Sequence, residues 1–335
     1  MSFLSEYGLF LAKTATIVIA IIAVLIALLA LKAKAKAEQE GSLQIKKLNE
    51  KYDEMAEMIN EVIQTKAEKK ALKLQHKKEA KLKKADVKKA ENKKRIFVMH
   101  FDGDIKASAV DDLRETVTAV LLTAKPEDHV LLCLESGGGI VNGYGLAASQ
   151  LQRLRDAKIH LVAAIDKVAA SGGYMMACVA NEIIAAPFAI IGSIGVIAQL
   201  PNFHRLLEKN NVDFEQIMAG EYKRTLTVFG KNTADGREKL QDEVNETHDL
   251  FKSFVKTNRE QVVIDDVATG EHWYATQCIE KKLVDKLQTS DDYLLSQKNE
   301  CDIYELQFKI KQSLVKRFNL FAQNSVYRMF KNTNI

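Results

Sequence analysis

The 335 residues are 47% hydrophobic and 27% charged, the balance of a chain that folds around one large or two medium cores, and this excludes a disordered or collagen-like protein. The four cysteines, Cys133, Cys178, Cys278 and Cys301, form no CxxC pair, so neither a zinc site nor a disulfide framework is expected. The net charge of +4 is unevenly spread: residues 66–95 hold 14 Lys and Arg against 4 Asp and Glu, which leaves the rest of the chain at −6.

After a flank of residues 1–13 comes an unbroken 18-residue uncharged stretch, TATIVIAIIAVLIALLAL, over residues 14–31. At about 1.5 Å per residue it is long enough to cross most of a bilayer core, and Lys13 and Lys32 can snorkel at its ends. A cleaved signal peptide is the rival reading, because Ala33-Lys34-Ala35 looks like a small-residue cleavage site. Against it, the segment before the run offers only Lys13 to set against Glu6, and the run exceeds the usual signal-peptide length. One uncleaved anchor over residues 14–32 is therefore expected. A second uncharged run, residues 183–203, is broken by Pro187, Gly192, Gly195 and Pro201 and reads as buried soluble core.

Residues 33–94 read as a polar arm. Ile45, Leu48, Tyr52, Met55, Ile59 and Val62 alternate spacings of three and four, the seam of an amphipathic helix or short coiled coil. The seam then gives way to lysines, which read as a solvated spacer rather than a patch for anionic lipid. No aromatic residues interleave these lysines to stack bases, so nucleic acid is not an expected partner.

From residue 95 the texture changes. Residues 96–101, 129–136, 159–166 and 181–187 read as strands, and 109–124, 142–156 and 171–180 as helices, so βαβ units and a mainly parallel α/β sheet with both faces covered are predicted. Beyond Phe203 the pattern turns helical over 203–212 and again over about 235–261. From Leu306 to the end the chain is basic, with Leu306, Ile310, Leu314, Phe318 and Phe321 recurring every three or four residues. It reads as a helical extension that docks on protein or lies on a membrane surface.

Three glycine turns follow strand-like runs: Ser136 to Gly139, Ser171 to Gly173, and Gly192 to Gly195. Loops beyond the carboxyl ends of strands in open α/β sheets converge on one crevice. A serine that starts a helix and is followed by Gly172 presents its hydroxyl beside free backbone N–H groups. Those donors suit an oxyanion, with Gly138 able to supply a second one. Such a serine still needs a base. The seven histidines offer no recognisable motif, which leaves a distant histidine or Lys223, 52 residues after Ser171, whose neutral amine would accept a proton once buried in a crevice.

DKVAASGGYMMACVANEIIAAPFAIIGSIGVI (residues 166–197) together with GEYKR (220–224) resembles the signal peptide peptidase A family of membrane serine proteases, the S49 peptidases. The likeness covers about residues 95–287 and joins four motifs in one order. It implies a crotonase/ClpP-like α/β fold over residues 95–290 and a Ser/Lys dyad with no metal or organic cofactor; the amphipathic helical extension is then residues 291–335. By that resemblance Ser171 is the nucleophile, Lys223 the general base, Ser193 the residue that orients the lysine, and the Gly172 and Gly138 amides the oxyanion hole. Two departures stand out: Gly137 replaces a proline in the first turn, and Lys282 replaces the glycine of a GLVD motif.

The resemblance also implies a homo-oligomer, with the dyad completed within or between subunits, that cleaves signal peptides or misfolded and membrane-associated polypeptides. It implies a place in the bacterial inner membrane with the catalytic domain on the periplasmic face. The lysines at 32, 34, 36, 46 and 47 argue for the cytoplasmic side instead, which stays open. Two other readings share the fold: a crotonase-type acyl-CoA enzyme, which would place acidic groups in the crevice, and a non-catalytic membrane scaffold.

Overall fold

A computed structural model describes residues 41–64 and 93–309, together with residues 7, 8, 13, 14, 16 and 18. The anchor expected over 14–32 falls almost wholly outside the described residues, as do most of the lysine run and residues 310–335. Among the described residues no helix is long and apolar enough to cross a membrane.

In chain order, strand β1 (Ser42–Lys47) leads into helix α1 (Leu48–Ile63), and then come β2 (Arg95–Gly103), α2 (Val110–Thr123), β3 (His129–Ser136), α3 (Val141–Asp156) and β4 (His160–Ile165). There follow β5 (Val168–Ala170), α4 (Gly172–Ala177), β6 (Glu182–Ala185), β7 (Ile190–Gly192), α5 (His204–Lys209) and the long α6 (Ala234–Asn258). The last elements are α7 (Ile264–Val267), β8 (His272–Tyr274), α8 (Ala275–Cys278), β9 (Lys286–Leu287), α9 (Ser290–Gln297) and β10 (Asp302–Lys309).

The main sheet runs in the order β1-β10-β2-β3-β4-β6-β9, and every pair from β10 to β9 is parallel. Strands of such a sheet are covered on both faces, which is why RIFVMHF in β2 carries almost no polar alternation. Ile96 and Val98 of β2 join Leu131, Val162 and Ile184 in one core with Leu48 of α1 and Leu294 of α9. Met99, Phe101, Leu132 and Leu134 are buried too, with Leu113 and Val117 of α2 and Leu151 and Leu154 of α3. Each such side chain contributes about 1.5–3 kcal/mol relative to exposure.

Two expectations are corrected here. Residues 306–309 are not the start of a helix but the end of β10, which hydrogen-bonds beside β2 with Tyr304 opposite Phe97 and Glu305 opposite Val98. Residues 45–307 form one compact unit, so α1, α9 and most of β10 belong with the sheet rather than to a flanking arm and extension. In the other unit, which takes in residues 1–44 and 308–335, Gly41 lies so close to the Phe308 ring that a β-carbon would overlap it.

At the amino end of the sheet His129 and His160 face each other in register, with ring centroids 4.7 Å apart. Burial pushes both pKa values below the ordinary histidine range, and for His129 the charge of His160 adds to the effect. The neutral rings therefore favour the folded state, so this contribution is fully present above a pH of about 6.5 and is lost as pH falls through the lowered folded values. We expect His129→Gln to flatten the acid side of the Tm-against-pH curve between neutral and mildly acidic buffer. A variant curve that stays parallel to wild type would refute the assignment.

The sheet forks at the carboxyl end of β3. His129 to Cys133 pair with β4, but Ser136 pairs with Ala169 of β5, and β5 in turn pairs in parallel with β7, with Ala170 opposite Gly192. Strand β8 closes this branch antiparallel to β7. The fork makes β3, β5 and β7 side-by-side parallel neighbours. The turns that follow them emerge at one place.

Candidate active site

β5 ends at Ala170, Ser171 makes the turn, and α4 starts at Gly172. Ser171 sits at φ 53° and ψ −119°, a conformation that costs a non-glycine residue on the order of 1–3 kcal/mol and persists only where its surroundings hold it. Three bonds or contacts do so. The Ser171 N–H donates to the Gly192 carbonyl at 2.8 Å, and the Ser171 carbonyl accepts from Met175 N–H at 3.0 Å. From the other side Gly138, at φ +87°, lies against it: a β-carbon there would stand 2.8 Å from Ser171 Cβ and 2.7 Å from Gly172 N. A strained serine in a strand–turn–helix lifts its hydroxyl clear of the sheet edge, the geometry used by nucleophile elbows.

The glycines allow the close approach. A β-carbon on Gly172 would overlap the Tyr144 ring, and one on Gly173 would lie 2.5 Å from the Ser136 carbonyl oxygen. α4 is therefore seated directly on α3 and on the end of β3. Ser193, also at positive φ (51°), follows Gly192 and is held by donation of its N–H to the Glu271 carbonyl at 2.6 Å.

Ser171, Gly172, Gly138 and Ser193 all line one cavity of about 590 Å³. Its walls come from Val141 and Tyr144 of α3, Met175 of α4, and Thr247, His248 and Phe251 of α6. The structure thus brings together four of the five residues singled out by sequence. Lys223 is not among them: it is exposed, in a stretch from 210 to 233 that has no helix or strand, and does not line the cavity.

The Gly138 N–H, expected as the second oxyanion donor, is committed elsewhere. It donates to Ser136 Oγ at 3.0 Å, so it is not free to meet a substrate oxygen in this arrangement. No acceptor takes the N–H of Gly139 or of Gly172 among the described residues. The turn still lines the cavity through Gly137, Gly138 and Gly139, and the Gly139 N–H is a donor left without an acceptor there among the described residues.

Sequence reading missed the part α6 and Tyr144 play. Thr247, His248 and Phe251 reach the cavity on one face of a helix that buries little else, only Phe251 and Val255. His248 Nε2 is buried there with no hydrogen-bond partner among the described residues. Their i, i+1, i+4 spacing was a signal, yet nothing in the sequence ties that helix to Ser171. Tyr144 is fully buried, and burial pushes its phenol pKa up, so it stays protonated. In sequence it is one aromatic residue in an amphipathic helix.

A parallel α/β sheet that presents a strained serine and an uncommitted amide pair in one cavity offers the parts that nucleophilic attack on a carbonyl requires. Comparison with known proteins narrows the class. The model of peptidase family S49 N-terminal matches residues 2–151, and that of peptidase family S49 matches residues 153–303. A protein named "Probable protease SohB" from Haemophilus influenzae is 48% identical over 331 residues, 96% of this chain and 94% of that one. "Putative protease SohB" of Buchnera aphidicola subsp. Baizongia pistaciae is 44% identical over 94% of this chain and 93% of its own. Among solved structures, a membrane-bound stomatin-specific protease with a substrate peptide has a TM-score of 0.43 at 12% identity, over 68% of this chain and 98% of that one. The chain belongs to peptidase family S49. Hydrolysis of peptide bonds is the class of activity that membership supports.

Proposed function

We propose that the protein is a serine endopeptidase in which Ser171 is the nucleophile and Lys223 of a neighbouring subunit is the general base. The observation that carries this reading is the strained Ser171 turn, held by Gly192 and Gly138 and opening into a cavity shared with Ser193 and the Gly139 and Gly172 amides. Ser171 Oγ attacks the peptide carbonyl while the uncharged Lys223 amine takes its proton. The amides of Gly172 and Gly139 stabilise the tetrahedral oxyanion. The Lys223 ammonium then returns the proton to the departing amine, and water, deprotonated by the same amine, hydrolyses the acyl-enzyme and frees Ser171. Ser193 on the cavity wall is the hydroxyl that orients the incoming lysine.

Self-assembly is the natural way to bring Lys223 in. The segment after β7 exposes Ile197 (80%), Leu206, Val212, Ile217 (98%), Met218 and Tyr222, an apolar surface that a second copy of the chain would cover. The uncharged run of residues 14–31 supports a single-pass anchor in the bacterial inner membrane, with signal peptides or misfolded and membrane-associated polypeptides as substrates.

The test uses the full-length protein in detergent with an alkyl fluorophosphonate and labelled casein. Wild type is expected to be labelled and to cleave casein, and Ser171→Ala to do neither. A wild type that takes up no probe and leaves casein intact would sink the serine mechanism and favour a scaffold. Labelling without casein hydrolysis would favour a different acyl substrate.

A further inference from the structure

The hydroxyls behind the glycine turn form a chain whose direction can be assigned by elimination. Tyr144 Oη lies 2.8 Å from the Asp104 carbonyl oxygen, which can only accept, so the phenol donates there. Ser136 Oγ lies 2.5 Å from Tyr144 Oη and 3.4 Å from the Gly103 carbonyl oxygen; with the phenol proton already spent, the serine donates to the tyrosine, the much nearer of its two acceptors. That leaves the Ser136 lone pairs for the Gly138 N–H at 3.0 Å. The order is therefore Gly138 N–H to Ser136 O–H to Tyr144 O–H to Asp104 carbonyl, each link polarising the next in a buried setting. Ser136 is 2% exposed and Tyr144 0%.

The same turn is clamped at its far end. Ile140 N–H donates to the Ile105 carbonyl at 2.8 Å, and a β-carbon on Gly139 would overlap that carbonyl. The Tyr144 ring meanwhile supports the Gly172 backbone. One side chain thus touches the residue after the nucleophile and, through Ser136, governs the facing turn.

We infer that Ser136 and Tyr144 are positioning residues for the oxyanion site: their hydroxyl chain draws the Gly138 N–H inward and fixes the turn so that the Gly139 amide is left to meet the reacting carbonyl oxygen. This rests on the serine-protease reading above. Neither residue touches the substrate's reacting atoms; both act through the glycine turn.

The experiment reads inactivation of the full-length protein by an alkyl fluorophosphonate, whose phosphoryl oxygen occupies the oxyanion position as Ser171 Oγ bonds to phosphorus and fluoride leaves. Ser136→Ala removes the acceptor of the Gly138 N–H, and Tyr144→Phe keeps the ring but removes the middle of the chain. Each is expected to lower the limiting inactivation rate on the order of ten- to a hundred-fold with the half-saturating probe concentration unchanged, because an ångström of misplacement in an oxyanion donor costs that much. The double variant should be no slower than the slower single one, since both cut the same chain. Melting curves establish which variants are folded, and either one alone carries the test. A folded variant with the wild-type limiting rate overturns the inference, as does one that loses only probe affinity, or a double variant whose losses multiply. A wild type that is not labelled overturns the protease reading itself and the inference with it.

Discussion

Ser171→Ala and Lys223→Ala subunits, each inactive alone, are expected to regain casein hydrolysis when co-expressed and purified as mixed assemblies. Each single change removes one half of a unit that works only together, so activity of either pure variant should fall by at least about 10³-fold. In a mixed assembly with head-to-tail contacts, about a quarter of the interfaces would pair an intact Ser171 with an intact Lys223 from the neighbour, which sets the ceiling of the recovery. The physical ground is the placement of the two residues in one chain. Ser171 is fixed by backbone bonds on both sides, whereas Lys223 is exposed, and among the described residues its one backbone hydrogen bond is donation of its N–H to the Gly220 carbonyl at 3.2 Å. Tyr222 beside it is exposed, with Lys239 over its ring at 5.6 Å and a side-chain hydrogen bond to its own neighbour Glu221. A mixture as inactive as its components would mean that the base is not supplied by a neighbour, and the subunit-crossing dyad would be abandoned.

The parts of this molecule that sequence could report are those carried by repetition along the chain. Alternating apolar strands and helices announced a parallel sheet because each strand had to be buried on both faces, and glycine turns after strand-like runs announced where backbone would be laid against backbone. The fork of the sheet was not legible. β5 and β7 are three residues each, too short for any periodicity, and yet Ala169 opposite Ser136 and Ala170 opposite Gly192 are what set the three turns side by side. Gly138 shows the limit at finer scale. The motif identified the turn, but that the Gly138 amide is the committed one depends on the Ser136 hydroxyl, which is bonded in turn to Tyr144, eight residues on. At the carboxyl end, Tyr304, Leu306 and Phe308 alternate with Glu305, Gln307 and Lys309, a period of two. The helical spacing that begins at Leu306 overlaps it, and the chain keeps the strand through Lys309, continuing the segment that pairs with β2 at residues 302–305.

Arg259→Met should destabilise the protein more than any surface change, by about 3 kcal/mol. Arg259 follows α6 directly, is 2% exposed, and makes a two-pronged pair with Asp285: Nη1 to Oδ2 and Nη2 to Oδ1, both 2.8 Å. Nη2 also donates to the Lys282 carbonyl at 2.9 Å, and Asp285 Oδ2 accepts from Ile183 N–H at 2.7 Å. Burial, the largest single effect, works against the guanidinium charge, but the hydrogen bonds and charge of Asp285 together with the nearby Tyr174 and Cys178 outweigh it and hold its pKa above the ordinary value. Removing the arginine leaves a carboxylate with one donor where it had three. Breaking a buried pair costs about 3–5 kcal/mol, and because the Asp285 side chain is 33% exposed, water reclaims part of that, which sets the expectation at the lower end. For a domain of this size it corresponds to a Tm lower by about 6–12 °C. Asp285→Leu added to Arg259→Met should recover part of the loss, because the stranded charge is gone, while Arg259→Lys cannot restore the two-pronged geometry. The pair anchors the end of α6, whose Thr247, His248 and Phe251 wall the cavity, to the Lys282–Asp285 turn, where the Leu283 carbonyl accepts from Tyr174 Oη of α4 at 3.1 Å. Ser171 itself is held by Gly192 and Gly138, not by this pair, so well below its melting point the variant should still be labelled by fluorophosphonate. A Tm within a degree or two of wild type would show that Asp285 finds other partners and that the pair does not hold α6 in place.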